Sequence, residues 1–209
     1  MARILVFGDS ISYGKWDHEI GGWVQRLSNF LDKKNLSDPN FDYTVYNLSI
    51  SGDTTEEILE RFELETKQRL KEERGIIIFA IGENDSQIID NQIRIKPEKF
   101  RENIQRLINL AEKFSPKIIF IGLIPVEDSK VSPIPWAPDK SYNTETIKKY
   151  NEIIKEACKE NDIYFIEIFE EFLKTDYKKL LEDGAHPNAS GHEKIYEIVK
   201  DSLIKNKII

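Results

Sequence analysis

Apolar residues along this chain follow two rhythms. Five short runs, Ile4–Phe7, Thr44–Leu48, Ile76–Ile81, Ile118–Leu123 and Ile163–Ile168, are mostly apolar on successive positions, without alternation. Strands of that kind are buried on both faces, as in a parallel sheet covered by helices. Between the runs, apolar positions recur three and four residues apart. Trp23, Leu27, Phe30 and Leu31 share one face, and Ile58, Leu59, Phe62 and Leu70 the next. Phe100, Ile104, Leu107, Ile108 and Ala111 mark a third, Ile147, Tyr150, Ile154 and Ala157 a fourth, and Ile195, Ile198, Val199 and Leu203 the last. Strand–helix alternation of this sort predicts a doubly wound α/β fold, a flavodoxin-like three-layer α/β/α domain on a five-stranded parallel sheet. Nothing linker-like divides residues 1–209, so one domain is expected.

Local signals agree. Asp53 and Glu56 have capping-box spacing, Pro97 suits a first helical turn, and Asn188 can cap the last helix. The stretch between Leu123 and Asn143 carries little periodicity and includes the proline-rich Val131–Pro138. A loop that long reads as a binding loop or lid. In it Trp136 serves either as an apolar wall for substrate or as an anchor to the body. Trp23 belongs to the core, Trp16 is a weaker candidate for substrate contact, and Cys158 reads as a small buried hydrophobe.

Composition narrows the partners. The 209 residues hold 30 Lys plus Arg against 37 Asp plus Glu, a net charge of -7, which argues against nucleic acid or an anionic membrane. No apolar run reaches membrane-spanning length, and the first is too short for a signal-peptide core, so a cytoplasmic location is expected. A single Cys excludes an internal disulfide. No His-Glu-x-x-His, Gly-x-Gly-x-x-Gly or Walker motif is present, so neither metal nor cofactor is expected. Histidine chemistry is confined to His18, His186 and His192.

Ligand sites in such sheets lie beyond the carboxyl ends of the strands. Four clusters of Gly with small polar residues fall at such places: Gly8-Asp9-Ser10, Ser51-Gly52-Asp53, Gly82-Glu83-Asn84-Asp85 and Asp183-Gly184-Ala185-His186-Pro187. Each alone also reads as a cap, a turn or a surface pair. Together, in this order, they resemble the SGNH hydrolases, or GDSL esterase/lipase family, named for Ser, Gly, Asn and His in four blocks. The segments Ser49–Thr54 and Asp183–Asn188 are most similar to its arylesterase, thioesterase and lysophospholipase branch. Position 83 departs from the pattern: Glu stands where many members have a small or apolar residue, and it is expected to point away from Asn84.

The resemblance implies a metal-independent serine esterase acting on a small-molecule carboxylic ester. Ser10 would be the nucleophile, with an oxyanion hole from the Ser10 and Gly52 N–H groups and the Asn84 amide. Asp9, Asp85 and Trp136 are candidates for supporting or substrate-binding roles. Serine needs a base near neutral pH, and imidazole suits that task. His186 is best placed, with Asp183 three residues earlier to orient it and Pro187 to keep it out of a helix. His18 reads as a solvated loop residue and His192 as a helix-surface one. Lysophospholipid, thioester or carbohydrate O-acetyl substrates would use the same site. A flavodoxin-like module holding phosphate or FMN at the Ser10–Gly14 turn is the reading from another class. No α/β-hydrolase elbow fits, because Gly-x-Ser-x-Gly is absent at Ser10.

Overall fold

The computed structural model describes residues 2–71 and 74–209. In chain order the elements are β1 (Ala2–Gly8), α1 (Ser10–Tyr13), α2 (Trp23–Ser37), β2 (Tyr43–Asn47), α3 (Thr55–Leu70), β3 (Arg74–Ala80), β4 (Ile88–Ile89) and β5 (Gln92–Ile93). They continue as α4 (Pro97–Ala111), β6 (Ile118–Ile121), α5 (Asp128–Val131), β7 (Lys140–Ser141), α6 (Thr144–Glu160), β8 (Tyr164–Ile166), α7 (Phe169–Leu173) and α8 (Ala189–Lys205). A 3-10 turn over Tyr177–Leu180 leads towards α8.

Five strands form one parallel sheet in the order β2-β1-β3-β6-β8. Successive residues of each central strand point to opposite faces. Leu5, Phe7, Ile77, Phe79 and Phe120 join a core with α3, α4 and α6. Ile4, Val6, Ile76, Ile78 and Ile119 join a second core with α2 and α8. That double burial is why the strands read as unbroken apolar runs. No helix among the described residues is long and apolar enough to cross a membrane.

Three local expectations need correction. The α3 capping box lies one residue later than Asp53/Glu56: Thr54 is the N-cap and the Glu57 carboxylate returns to the Thr54 N–H at 2.7 Å. Asp53 instead binds the Arg61 guanidinium at 2.7 Å. The 124–143 segment is more ordered than its periodicity implies. It contains α5, and β7 adds to the β4–β5 hairpin as a small antiparallel sheet. Asp90 and Asn91, both left-handed (φ 49° and 62°), make that hairpin's two-residue turn. Finally, the fifth run is a strand only over Tyr164–Ile166, and α7 follows it.

Candidate active site

The carboxyl ends of β1, β2 and β3 place three of the four blocks side by side. Ser10 opens α1, whose N-cap is Asp9: Asp9 Oδ1 accepts the Ile11 N–H at 2.9 Å. Ser10 is therefore the residue after the cap, at a helix start. The fourth block arrives from the loop before α8. His186 Nε2 lies 2.9 Å from Ser10 Oγ, and His186 Nδ1 lies 2.8 Å from Asp183 Oδ2.

Asp183 sits in a tight turn of its own making. Its Oδ1 accepts the N–H groups of Ala185 at 3.0 Å and His186 at 2.8 Å. Burial opposes its ionisation, but the His186 ring and these backbone donors outweigh that and hold its carboxyl well below the usual range. It therefore stays a carboxylate. An acceptor at Oδ2 requires the proton on His186 Nδ1, which leaves Nε2 with a lone pair facing Ser10.

A fourth donor to Asp183 was not foreseen as such. Trp16 Nε1 donates to Asp183 Oδ2 at 2.9 Å. Trp16 has a left-handed backbone (φ 69°), rare for a bulky residue, so its neighbours must hold it there. They do so on both sides. Asp17 accepts the Glu19, Ile20 and Gly22 N–H groups and pairs with Arg26 at 3.0 Å. A Cβ on Gly14 would meet the Gly21 carbonyl at 2.1 Å, so only glycine lets the loop close this tightly. His192 supplies the third restraint. It is fully buried, not on the helix surface as expected, and its Nε2–H donates to the Lys15 carbonyl at 2.9 Å. Burial holds its pKa below the ordinary value, so it serves as a neutral strut. His18 is exposed, as its loop position implied.

On the opposite side of Ser10 stand Gly52 and Asn84. Gly52 has φ 92°, and a Cβ there would meet nothing within 4 Å. Glycine is thus required by the backbone conformation and not by crowding. Among the described residues, neither the Ser10 nor the Gly52 backbone N–H has an intramolecular partner. Asn84 Nδ2 donates to the Asp53 carbonyl at 3.0 Å. Asp85 faces away from the cleft: it receives the Thr55 N–H at 3.1 Å and the Thr55 hydroxyl at 2.5 Å, tying the block after β3 to the start of α3. It lines neither of the spaces beside Ser10.

Glu83, expected to point away, is turned inward, because the Ile124 N–H and the Asp9 carboxyl offer it partners there. Its Oε1 accepts the Ile124 N–H at 3.2 Å, and its carboxyl meets that of Asp9. Asp9 Oδ2 has no other donor. Two buried carboxyls in contact cannot both ionise, so one proton stays between them. Burial pushes Asp9 up to about 6, against the pull of the Ile11 N–H and the His186 charge. Glu83 rises well above its ordinary value through burial and then the Asp9 charge. In the unfolded chain both carboxyls lose their protons near pH 4, whereas the folded pair retains its proton to higher pH. The pair's contribution to stability is therefore full below about pH 4 and is lost as pH rises through the folded values. Glu83→Gln keeps both contacts with an amide and removes the shared proton. Its melting temperature should fall less between pH 5 and pH 8 than wild type's, by about 3 °C or more; equal falls would count against the shared proton.

Two spaces adjoin Ser10. A pocket of about 10 Å³ lies against Asp9, Ser10, Glu83, Asn84, Tyr142 and His186. A cleft of about 380 Å³ opens outward past Gly52, Lys15, Gln87, Lys140 and Trp136. Trp136 is 67% exposed, so it forms part of the cleft wall and does not pin the loop to the body.

Residues 6–194 match the GDSL-like lipase/acylhydrolase family. The chain belongs to that family. This GDSL-family protein is a hydrolase of ester bonds, and the flavodoxin-like binding module falls away as a reading. It is 25% identical to esterase TesA of Pseudomonas aeruginosa, over 96% of this chain and 87% of that one. Its fold is similar to a lipase/acylhydrolase of Enterococcus faecalis, with TM-score 0.74 and 21% identity, covering 97% of this chain and 95% of the other. An acetylxylan esterase of Geobacillus stearothermophilus matches with TM-score 0.71 and 20% identity, over 94% and 91% of the two chains.

Proposed function

We propose that this GDSL-family hydrolase is a serine carboxylesterase working through an acyl-enzyme on Ser10. The observation that carries the reading is the unbroken relay from Ser10 Oγ to His186 Nε2 (2.9 Å) and from His186 Nδ1 to Asp183 Oδ2 (2.8 Å). His186 takes the hydroxyl proton as Ser10 attacks the acyl carbonyl, and Asp183 stabilises the imidazolium. The carbonyl oxygen gains the charge, facing the Ser10 and Gly52 N–H groups and the Asn84 amide. As the tetrahedral adduct collapses, His186 returns its proton to the departing alcohol. Water then repeats the cycle: His186 removes a proton from it as it attacks the acyl-enzyme, and collapse of that adduct breaks the acyl–Oγ bond, releasing the carboxylic acid while His186 returns the proton to Ser10 Oγ. Each oxyanion donor contributes about 2.7–4 kcal/mol to such a transition state.

The two spaces beside Ser10 support a short acyl group on a larger alcohol. A pocket of about 10 Å³ admits something methyl-sized, whereas the 380 Å³ cleft suits the leaving group. Polar Gln87, Lys15 and Lys140 beside the flat ring of Trp136 favour an acetylated carbohydrate as that alcohol. The acetylxylan esterase likeness is in keeping with this.

A fluorophosphonate reacts with an activated serine, so peptide mapping after labelling tests the nucleophile. The label is expected on Ser10 alone, and p-nitrophenyl acetate is expected to turn over at least about tenfold faster than the octanoate. Label on another residue would overturn the mechanism. Faster cleavage of the octanoate would overturn the short-acyl reading while leaving the mechanism.

A further inference from the structure

Asn84 can serve an oxyanion only if its amide nitrogen, not its oxygen, faces the cleft. The neighbours decide this. The Asp53 main-chain oxygen at 3.0 Å can only accept, so the Asn84 nitrogen must face it. The Asn84 oxygen then points to the Tyr142 hydroxyl at 2.8 Å, which must donate. One Nδ2 hydrogen is committed to Asp53, and the second remains for the cleft that Asn84 lines with Ser10 and His186.

The geometry points to Tyr142 as the positioning residue of the oxyanion hole: its hydroxyl locks the Asn84 amide with the second N–H aimed at the developing charge. It does not itself touch the reacting atoms. By donating to the amide oxygen it also polarises the amide, which makes the remaining N–H a stronger donor. This inference rests on the proposed role of Asn84.

The fold goes to some length to deliver that hydroxyl. Tyr142 directly follows β7, whose Lys140 and Ser141 pair with Ile89 and Ile88 of β4. β4 begins three residues after Asp85, so the small sheet ties the segment carrying Tyr142 to the segment carrying Asn84. The Tyr142 N–H is bound to the Val131 carbonyl at 2.9 Å, and Thr144 bonds the Val126 carbonyl at 2.9 Å. The side chain is thus fixed from both directions. On this view the segment between β6 and α6 is a brace for the oxyanion hole as well as a wall of the cleft.

Tyr142→Phe removes only the hydroxyl. With p-nitrophenyl acetate, kcat is expected to fall about tenfold and KM to stay within about twofold, because the lost effect belongs to the transition state. Inhibition by a boronic acid, which mimics the tetrahedral adduct, should weaken by a similar factor. The decisive comparison is in an Asn84→Ala background, where the amide is gone. There, adding Tyr142→Phe should change kcat by less than about twofold. The same tenfold loss persisting in that background would overturn the inference, as would wild-type kcat in Tyr142→Phe alone. This comparison holds even if the single variant is less stable, because Asn84→Ala leaves no carbonyl oxygen in need of a donor. Ser10→Ala in the same assay separates the two levels. An active Ser10→Ala would remove the reading beneath this one, whereas an inactive Ser10→Ala with full Tyr142→Phe activity would remove only the Tyr142 inference.

Discussion

Ser10→Ala is expected to lower kcat for p-nitrophenyl acetate by about 10⁴ to 10⁶, with the melting temperature held within about 2 °C of wild type. The size of the loss follows from chemistry. Without Oγ there is no acyl-enzyme, and what remains is the help that the donors and the cleft give to direct attack by water. The constancy of the fold follows from contacts. The Ser10 hydroxyl bonds His186 and no core group, and Asp9, not Ser10, caps α1. Alanine is the better helix former at that place. KM or the dissociation constant of a non-hydrolysable ester analogue should change little, since Ser10→Ala leaves its own backbone N–H in place. A rate within tenfold of wild type would mean that another residue is the nucleophile.

The sheet and the four blocks were legible for the same reason. Buried parallel strands carry runs such as Ile76–Ile81, and each block stands just past such a run or just before the capped helix that starts at Ala189. What stayed hidden depends on contacts between distant segments. Trp16 and Asp183 are 167 residues apart, and Tyr142 and Asn84 are 58 apart. No local pattern announces a hydrogen bond across such gaps. His192, expected on the helix surface, stands three and seven residues before Ile195 and Val199, on the apolar face, and there it is fully buried with its ring bonded to the Lys15 carbonyl. The capping box slipped by one residue because Asp53 finds a stronger partner in Arg61, which leaves Thr54 to cap. The β4–β5 hairpin did have a signal, since Asp90-Asn91 between Ile88-Ile89 and Gln92-Ile93 is turn chemistry. Two-residue strands are simply too short to register as periodicity.

The second large effect is expected from Asp183→Asn, and it separates charge and tautomer from mere positioning. Four donors converge on this carboxylate: the Ala185 and His186 N–H groups on one oxygen, and His186 Nδ1 and Trp16 Nε1 on the other. An asparagine has one accepting oxygen to offer. The backbone pair is fixed by the turn, so that oxygen stays with it and the NH₂ group faces the imidazole. His186 must then accept at Nδ1 and carry its proton on Nε2, directly before the Ser10 hydroxyl. In that tautomer it cannot act as base, and kcat is expected to fall by about 10⁴ with KM nearly unchanged. Trp16→Phe makes the complementary cut. It removes one donor to the same oxygen but leaves the charge and the tautomer intact. A hydrogen bond to a charged group is worth about 1.5–3 kcal/mol, and only part of that is specific to the transition state, so a loss of about tenfold is expected. The two losses should therefore differ by about a thousandfold. Similar losses in both would make the indole N–H as essential as the carboxylate charge. A mild effect in Asp183→Asn would mean that His186 finds its working tautomer without Asp183.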